Sequence, residues 1–430
     1  MRRARRAGRL AAVMRAARGR DVVQSAALAI ALYGLSLLTG PLQAHALGAT
    51  GRGELAAVVV PTQLFTWLLG FGLPVACTYY RDRYDDVSLV GGSWFFGLTV
   101  GIPAIAVLWP LVPLYLAGQD PVTVGWFRAY LLSALLAVPC AVGVHLLRLD
   151  ARLGLSNALR ALPVVLNAIA VVVLALLGRL TLTTALAAGL VPILVTVLLG
   201  LGLSGGFVRP HLPAGYRSTV LSYGAKVTSG TVAGQLLSRL DQLLLVGLAA
   251  PKQLGLYAVA VTMSGLSQAA AQGIGLALLT RLSAGPPGSR GIARKARLLT
   301  LAVSCTIATG TALVAPVVLP TLFGQEFRDA VPLLLLLLPG QVLADLATVR
   351  SQEFYVVGRP QVPSLALGVA AAATVISLLL TVGTYGVTAA ALSTSGCQAL
   401  YLLVLELAVL HRPPLPVDGP MAPAPLPSLP

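Results

Sequence analysis

The residues of this chain that could do chemistry lie in stripes along otherwise apolar segments. Thr228, Thr231, Gln235, Ser238, Arg239 and Gln242 follow three-and-four spacing and so share one face of a helix. Gln341, Asp345, Thr348 and Gln352 repeat the pattern, while Ser264, Ser267, Gln268 and Gln272 form a shorter stripe. Gln63, Thr66 and Trp67 form a fainter one, beside the helix-bending Pro61 and Pro74. Amides and hydroxyls so placed bind by hydrogen bonding. No metal-ligand spacing, phosphate loop or nucleophile constellation accompanies them, so neither a catalytic residue nor a metal or cofactor is expected. Polar stripes within hydrocarbon face either a water-filled cavity or another helix. Three long ones in the second half of the chain favour a shared polar lumen.

Arg239 is the most informative of these residues. It falls in the body of an apolar segment, where a cation costs roughly 2.5–3.5 kcal/mol on the membrane-insertion scale and needs a partner or a task. Asp241 is two positions away and points nearly opposite, so it is expected to contact a neighbouring helix or loop. Asp345 lies on a stripe, and two readings stay open for it: a permanent Arg239–Asp345 ion pair between helices, or a pair that substrate opens. His45 and His145 are single histidines near segment ends, expected to be packed or interfacial. Arg128 lies in WFRAY (126–130), the composition of an interfacial anchor belt. Glu406 is expected to reach headgroups.

The elements that must position these residues follow from composition. Of 430 residues, 57 % are apolar and 10 % charged, against roughly 25 % charged in a water-soluble domain. This excludes a cytosolic enzyme, a secreted disulfide scaffold and a disordered protein, and predicts an all-α polytopic membrane protein. Twelve stretches reach the roughly 20 apolar residues that a spanning helix needs: 22–44, 55–80, 89–117, 124–147, 159–178, 182–204, 226–249, 256–280, 298–319, 331–350, 362–383 and 386–410. The gaps are too short for a soluble catalytic domain. The basic start, the first apolar run and Ala44-His45-Ala46 mimic a cleavable signal, but eleven further spans make the run a membrane span. The four cysteines (Cys77, Cys140, Cys305, Cys397) fall in apolar runs and read as small buried hydrophobes.

The net charge of +16 is distributed as a membrane protein distributes it, so nucleic acid is not an expected partner. With the amino terminus inside, 24 of the 30 basic residues fall in inside segments, eight of them within the first twenty residues. Both termini are therefore expected in the cytoplasm. The reading divides the chain into a basic tail 1–21, a six-helix lobe 22–204, a linker 205–225, a second six-helix lobe 226–410 and a Pro-rich tail 411–430. The halves echo each other at a shift of about 200 residues: Gly53 and Ala56 with Gly255 and Ala258, Arg81 with Arg281, Arg148 with Arg350, Pro163 with Pro363. Such duplication places a pathway between two lobes that rock against each other.

Five stretches carry a family likeness. LGATGRGELAAVVV (47–60) opens the second span, and LDQLLLVGLAAPKQLGLYAVAV (240–261) joins the seventh to the eighth. LFGQEFRDAVPLLLLLLPG (322–340) leads into the tenth, and VVGRPQVP (356–363) and YGVTAAALST (385–394) flank the eleventh. In this order they resemble the polysaccharide-exporting flippases of the multidrug/oligosaccharidyl-lipid/polysaccharide (MOP) superfamily, over nearly the whole chain. The resemblance implies a V-shaped pair of pseudo-symmetric six-helix lobes, as in MATE-like transporters, moving a lipid-linked sugar from inner to outer leaflet by alternating access.

On that footing, cavity binding is expected from Arg239, Gln235, Gln242, Gln268, Gln272, Gln341 and Asp345. Arg81, Arg83, Lys226 and Arg281 would form a cytoplasmic mouth that attracts a diphosphate. The expected partners are a lipid-linked oligosaccharide, membrane lipids and proteins of polysaccharide synthesis or polymerisation. The expected location is a bacterial plasma membrane. The main rival is a cation-coupled MATE-type drug exporter, which generally carries a membrane-embedded acid in its first lobe, where spans one to six here have none at mid-span. A lipid II flippase is expected to have fourteen spans, and a membrane glycosyltransferase or polymerase would need an external loop with paired carboxylates.

Overall fold

A computed structural model of the chain describes residues 2–149, 152–225, 238–283, 289–357 and 359–411. Its elements are helical throughout: α1 (Arg2–Gly70), α2 (Leu73–Tyr79), α3 (Asp86–Tyr115), α4 (Pro121–Leu149), α5 (Leu153–Leu176), α6 (Leu182–Leu203), α7 (Leu240–Leu248), α8 (Pro251–Ser264), α9 (Gln268–Ser283), α10 (Ser289–Val318), α11 (Ala330–Val356) and α12 (Gln361–His411). Among the described residues, nine helices are long and apolar enough to cross a membrane. Two of them hold two crossings each. Gly48 (φ 67°) interrupts α1 and Gly386 (φ 60°) interrupts α12, each in the left-handed region that a side chain disfavours. The expected loops at 45–54 and 384–385 are therefore single glycine breaks. Together α8 and α9 make one crossing, joined by a 3-10 turn at Gly265–Ser267. Among the described residues this makes eleven crossings, with α7 as the described part of a twelfth, in two pseudo-symmetric lobes.

Apolar side chains cover the outside because lipid is their solvent: Leu114 and Leu176 are 76 % and 83 % exposed. Cys305 is exposed among them, whereas Cys77, Cys140 and Cys397 are buried as expected. The end of the bundle carrying Arg81, Arg83, Arg281 and residues 205–225 is the Arg-rich end; Gly48, Tyr115 and Gly386 mark the Arg-poor end. The second span breaks near the Arg-rich end, where Phe71 (φ 44°) and Gly72 (φ 62°) separate α1 from α2. The sequence pointed instead to Pro61 and Pro74, of which Pro61 lies within α1 and Pro74 in the first turn of α2. Pro163 likewise lies inside α5.

The stretch 205–225 is fastened to the first lobe. The Trp94 indole donates to the Gly206 carbonyl (2.9 Å), the His211 amide to Gly91 O (3.3 Å), and the Tyr84 hydroxyl to Ala214 O (3.1 Å). Tyr216 is fully buried and donates to Leu89 O (3.3 Å). Burial pushes its phenol far above the usual tyrosine range and keeps it a donor.

The hydrophobic core is distributed unevenly. At the Arg-poor end one continuous cluster joins the lobes, packing Leu55, Val58 and Leu186 with Leu254, Tyr257, Phe327 and Leu334. Toward the Arg-rich end, among the described residues, the clusters are private to each lobe: Leu73, Leu89, Val142 and Tyr216 in the first, Phe354, Leu367 and Tyr401 in the second.

Candidate functional site

The two lobes meet where α1 crosses α8. A Cβ placed on Gly53 would stand 1.8 Å from the Pro251 carbonyl oxygen, and one on Gly255 would stand 1.9 Å from that of Ala49. Only glycine permits that approach, the small-residue packing that lets membrane helices close backbone to backbone. Residue 49 meets 255 and residue 53 meets 251, so the pseudo-two-fold axis runs through the crossing. Two hydrogen bonds close the same end. The Ala49 amide donates to Glu326 Oε2 (3.1 Å), and the Tyr115 hydroxyl donates to Leu243 O (2.7 Å).

Ala49, Gly53, Ala56 and Val60 share one face of α1 and are all buried. The same face continues to Gln63 and Trp67, which are exposed, Trp67 to 40 %. On the facing helix, Gly255 and Ala258 are buried. The 3-10 turn then advances the helix by about 60° relative to α-helical winding, and Gln268 and Gln272 beyond it are exposed. Beyond the crossing, the continuations of the two buried faces are thus exposed, with amides on both helices and an indole on α1.

The other expected cavity residues are differently placed. Arg239 is not at the middle of a continuous helix: it is the N-cap of α7, partly exposed, with its Nη1 3.4 Å from Gln242 Oε1. Gln242 is only 2 % exposed and Asp345 1 %, so neither lines open space in this conformation. Asp345 accepts from Ser304 Oγ (2.7 Å) and from Gln341 Nε2 (2.8 Å), and no Arg239–Asp345 pair forms. Its lone pairs are satisfied by neutral donors, which removes the need for the cation. Gln341 is half-buried by that contact. Gln235 lies outside the described residues. Asp241 contacts neighbouring helices, accepting from the Tyr257 hydroxyl (2.5 Å), Thr394 Oγ1 (3.2 Å) and the Gln242 amide (2.7 Å).

At the expected mouth, Arg83 and Arg281 are exposed. Arg81 is instead held bidentately by Asp86 (2.9 and 2.8 Å), and Lys226 lies outside the described residues. His145 hydrogen-bonds the Ala141 carbonyl through its Nδ1 (3.0 Å), and Arg128 covers the Trp109 ring at 4.7 Å.

Sequence reasoning missed one charged constellation. Glu406 does not reach for headgroups; it binds Arg350 Nη2 (2.6 Å) and lies 3.8 Å from Arg297 Nη1. Glu353, buried, binds Arg350 Nη1 (2.8 Å) and approaches Arg297 Nε (3.4 Å). This group of two cations and two anions ties α10, α11 and α12 at the Arg-rich end. The i,i+3 spacing of Arg350 and Glu353 was the one sequence signal for it.

Three solved structures share the architecture. A lipid II flippase MurJ in an inward closed conformation matches with a TM-score of 0.71 at 12 % identity, covering 90 % of this chain and 87 % of that one. An inward-facing multidrug resistance MATE family transporter of the MOP superfamily matches at 0.64 and 16 %, covering 90 % and 94 %. A MOP superfamily transporter from Pyrococcus furiosus matches at 0.61 and 16 %, covering 91 % and 95 %. No curated protein matches the sequence. The family model described as "Polysaccharide biosynthesis protein" matches residues 19–279, more than half of the chain. The fold is therefore that of MOP superfamily transporters, and the chain belongs to the polysaccharide biosynthesis protein family.

Proposed function

We propose that this chain is a flippase. It moves a lipid-linked oligosaccharide of polyprenyl-diphosphate type from the cytoplasmic to the outer leaflet of a bacterial plasma membrane, by alternating access, for cell-surface polysaccharide biosynthesis. The Arg-rich end faces the cytoplasm with both termini, as the bias of basic residues requires. The lobes 22–204 and 226–410 are the moving bodies, with 205–225 carried by the first. The observation that carries the reading is the divided core: among the described residues, one cluster runs across both lobes at the Arg-poor end and separate clusters lie at the other. Such a molecule opens on one side and can rock about the α1–α8 crossing.

Each sugar hydroxyl or phosphate oxygen left unsatisfied in hydrocarbon costs several kcal/mol. The cleft supplies partners instead, while the lipid tail stays in the bilayer. Arg83 and Arg281, with Lys226, attract the diphosphate at the mouth; Arg81 acts by holding its loop to Asp86. Arg239 meets the diphosphate deeper, where its planar fork suits a phosphate, and Gln235, Gln268 and Gln272 take sugar hydroxyls. Gln242, Gln341 and Asp345 join the lumen only if the second lobe repacks. An inside-negative potential drives an anion outward by about 2.3 kcal/mol per charge per 100 mV. Proton coupling through Asp345 is the competing energy source. Proteins of polysaccharide synthesis or polymerisation are the partners this function calls for.

The test is Arg239→Ala in reconstituted vesicles loaded with a fluorescent lipid-linked glycan. Loss of flipping with normal insertion is expected, and normal flipping by a stably inserted variant refutes the site. The rival reading, a cation-coupled MATE-type exporter, rests on the shared fold. It predicts drug hypersensitivity, without accumulated lipid-linked glycan, when the gene is deleted.

A further inference from the structure

At the Arg-rich end, three tyrosines form a cluster that no part of the pathway above uses. Tyr79 ends α2, Tyr80 follows it, and Tyr223 comes from the stretch fastened to the first lobe. The rings of Tyr79 and Tyr223 lie parallel, with centroids 4.6 Å apart and 8° between their planes. Tyr80 stands edge-on to both, at 5.0 and 5.9 Å. Behind them, Tyr84 and Tyr216 pack at 6.0 Å with their hydroxyls bonded to the protein.

The front layer differs in two respects. Tyr79 is 48 % exposed, so the stack can be reached from outside at that residue. Among the described residues, the hydroxyls of Tyr79, Tyr80 and Tyr223 have no hydrogen-bond partner. The backbone fixes the arrangement: Phe71 sits at φ 44°, and a Cβ on Gly224 would stand 2.6 Å from the Phe71 carbonyl oxygen, so the residue beside Tyr223 is locked against the break that aims α2. The 22 residues of α1 from Ala49 to Gly70 rise about 33 Å, already about the roughly 30 Å of hydrocarbon, so Tyr79, past the break, lies at the interface of the Arg-rich end. Exposed Arg83 places its guanidinium carbon 5.9 Å from the ring centroid of Tyr84, in the layer behind.

We propose that this stack is a docking platform for a sugar ring of the lipid-linked glycan. The apolar C–H face of a pyranose lies on the Tyr79 ring, and its equatorial hydroxyls bond the free phenols. The platform reads the head of the substrate before the diphosphate enters the cleft. This rests on the flippase reading and deepens it, because it assigns recognition of the glycan to residues outside the lumen.

The experiment uses the full chain in nanodiscs and two probes: bare undecaprenyl diphosphate, and the same lipid carrying one N-acetylhexosamine. Binding is measured by native mass spectrometry for the wild type, Tyr79→Phe, Tyr79→Leu and Tyr223→Leu. The sugar should tighten wild-type binding about three- to tenfold, the range an aromatic contact supplies. Tyr79→Phe should keep that gain to within about twofold, and both leucine variants should lose it while binding the bare lipid normally. A sugar-dependent gain that survives in both leucine variants overturns the platform, leaving the cluster an interfacial anchor. Equal wild-type affinity for the two lipids also overturns it, without touching the flippase reading. Failure of the wild type to bind either lipid overturns the flippase reading itself.

Discussion

Glu326 is a carboxylate of the second lobe that caps a helix of the first, and removing it should release the closed end. Its Oε2 accepts the Ala49 amide at 3.1 Å, the first amide after the Gly48 break. A hydrogen bond to a charged acceptor contributes about 1.5–3 kcal/mol. An anion at a helix N-terminus contributes about 0.3–1 kcal/mol, which partly overlaps with it. A net loss of about 2 kcal/mol for Glu326→Ala changes the equilibrium roughly 30-fold. A state open at this end and populated at about 1 % would rise to roughly a quarter of the molecules. Glu326→Gln keeps an acceptor and loses the charge, so about half that energy, or a factor near five, is expected. Spin labels on Thr181→Cys and Thr384→Cys, exposed near the Arg-poor ends of the two lobes, would report the separation by double electron–electron resonance, with the exposed Cys305 replaced. The expected result is a second, longer distance whose weight follows the order wild type, Gln, Ala. Superimposable distance distributions in all three refute the reasoning, because the bond would then hold nothing shut.

Other outcomes follow from the same geometry. Gly53→Val and Gly255→Val should each widen the same label distance, since either side chain collides with a carbonyl across the axis, whereas Gly118→Ala, with open space around it, should not; equal behaviour of all three would contradict the crossing. Glu353→Gln removes the buried one of the two carboxylates on Arg350, which keeps Glu406, and should cost about 1.5–3 kcal/mol, read as a drop in thermal midpoint. Glu406, with its side chain 43 % exposed, should cost no more than about 1 kcal/mol as Glu406→Gln. Equal drops would show that burial does not govern that network.

The spans were legible because length and hydropathy alone decide what crosses a membrane, and the duplication was legible in Gly53 and Gly255 because a crossing on the axis needs small residues twice. What lay across the chain was not. Glu326 and Ala49 are 277 positions apart, and nothing local marks either as the partner of the other. Helical periodicity predicts which residues share a face but not what that face meets. Gln242 and Asp345 belong to stripes as regular as that of Gln268 and Gln272, yet they are sealed by neighbouring helices while the latter are exposed. Arg239 was placed mid-helix because no proline interrupts 226–249; among the described residues, the turn Ser238–Arg239 that precedes α7 contains neither proline nor glycine. Residues 205–225 read as a connector by composition, although Tyr216 and the Trp94–Gly206 bond make them part of a lobe.

The glycine crossing has a consequence for how the two repeats can change. At a two-fold axis each repeat touches its own counterpart, as in a homodimer, although here both copies lie on one polypeptide. A methyl group gained at Gly53 is felt at Pro251, and one gained at Gly255 is felt at Ala49. Elsewhere the halves are free to drift toward separate tasks, one gathering charged networks and the other aromatic rings. At this point of contact neither half can enlarge without a concession from the other.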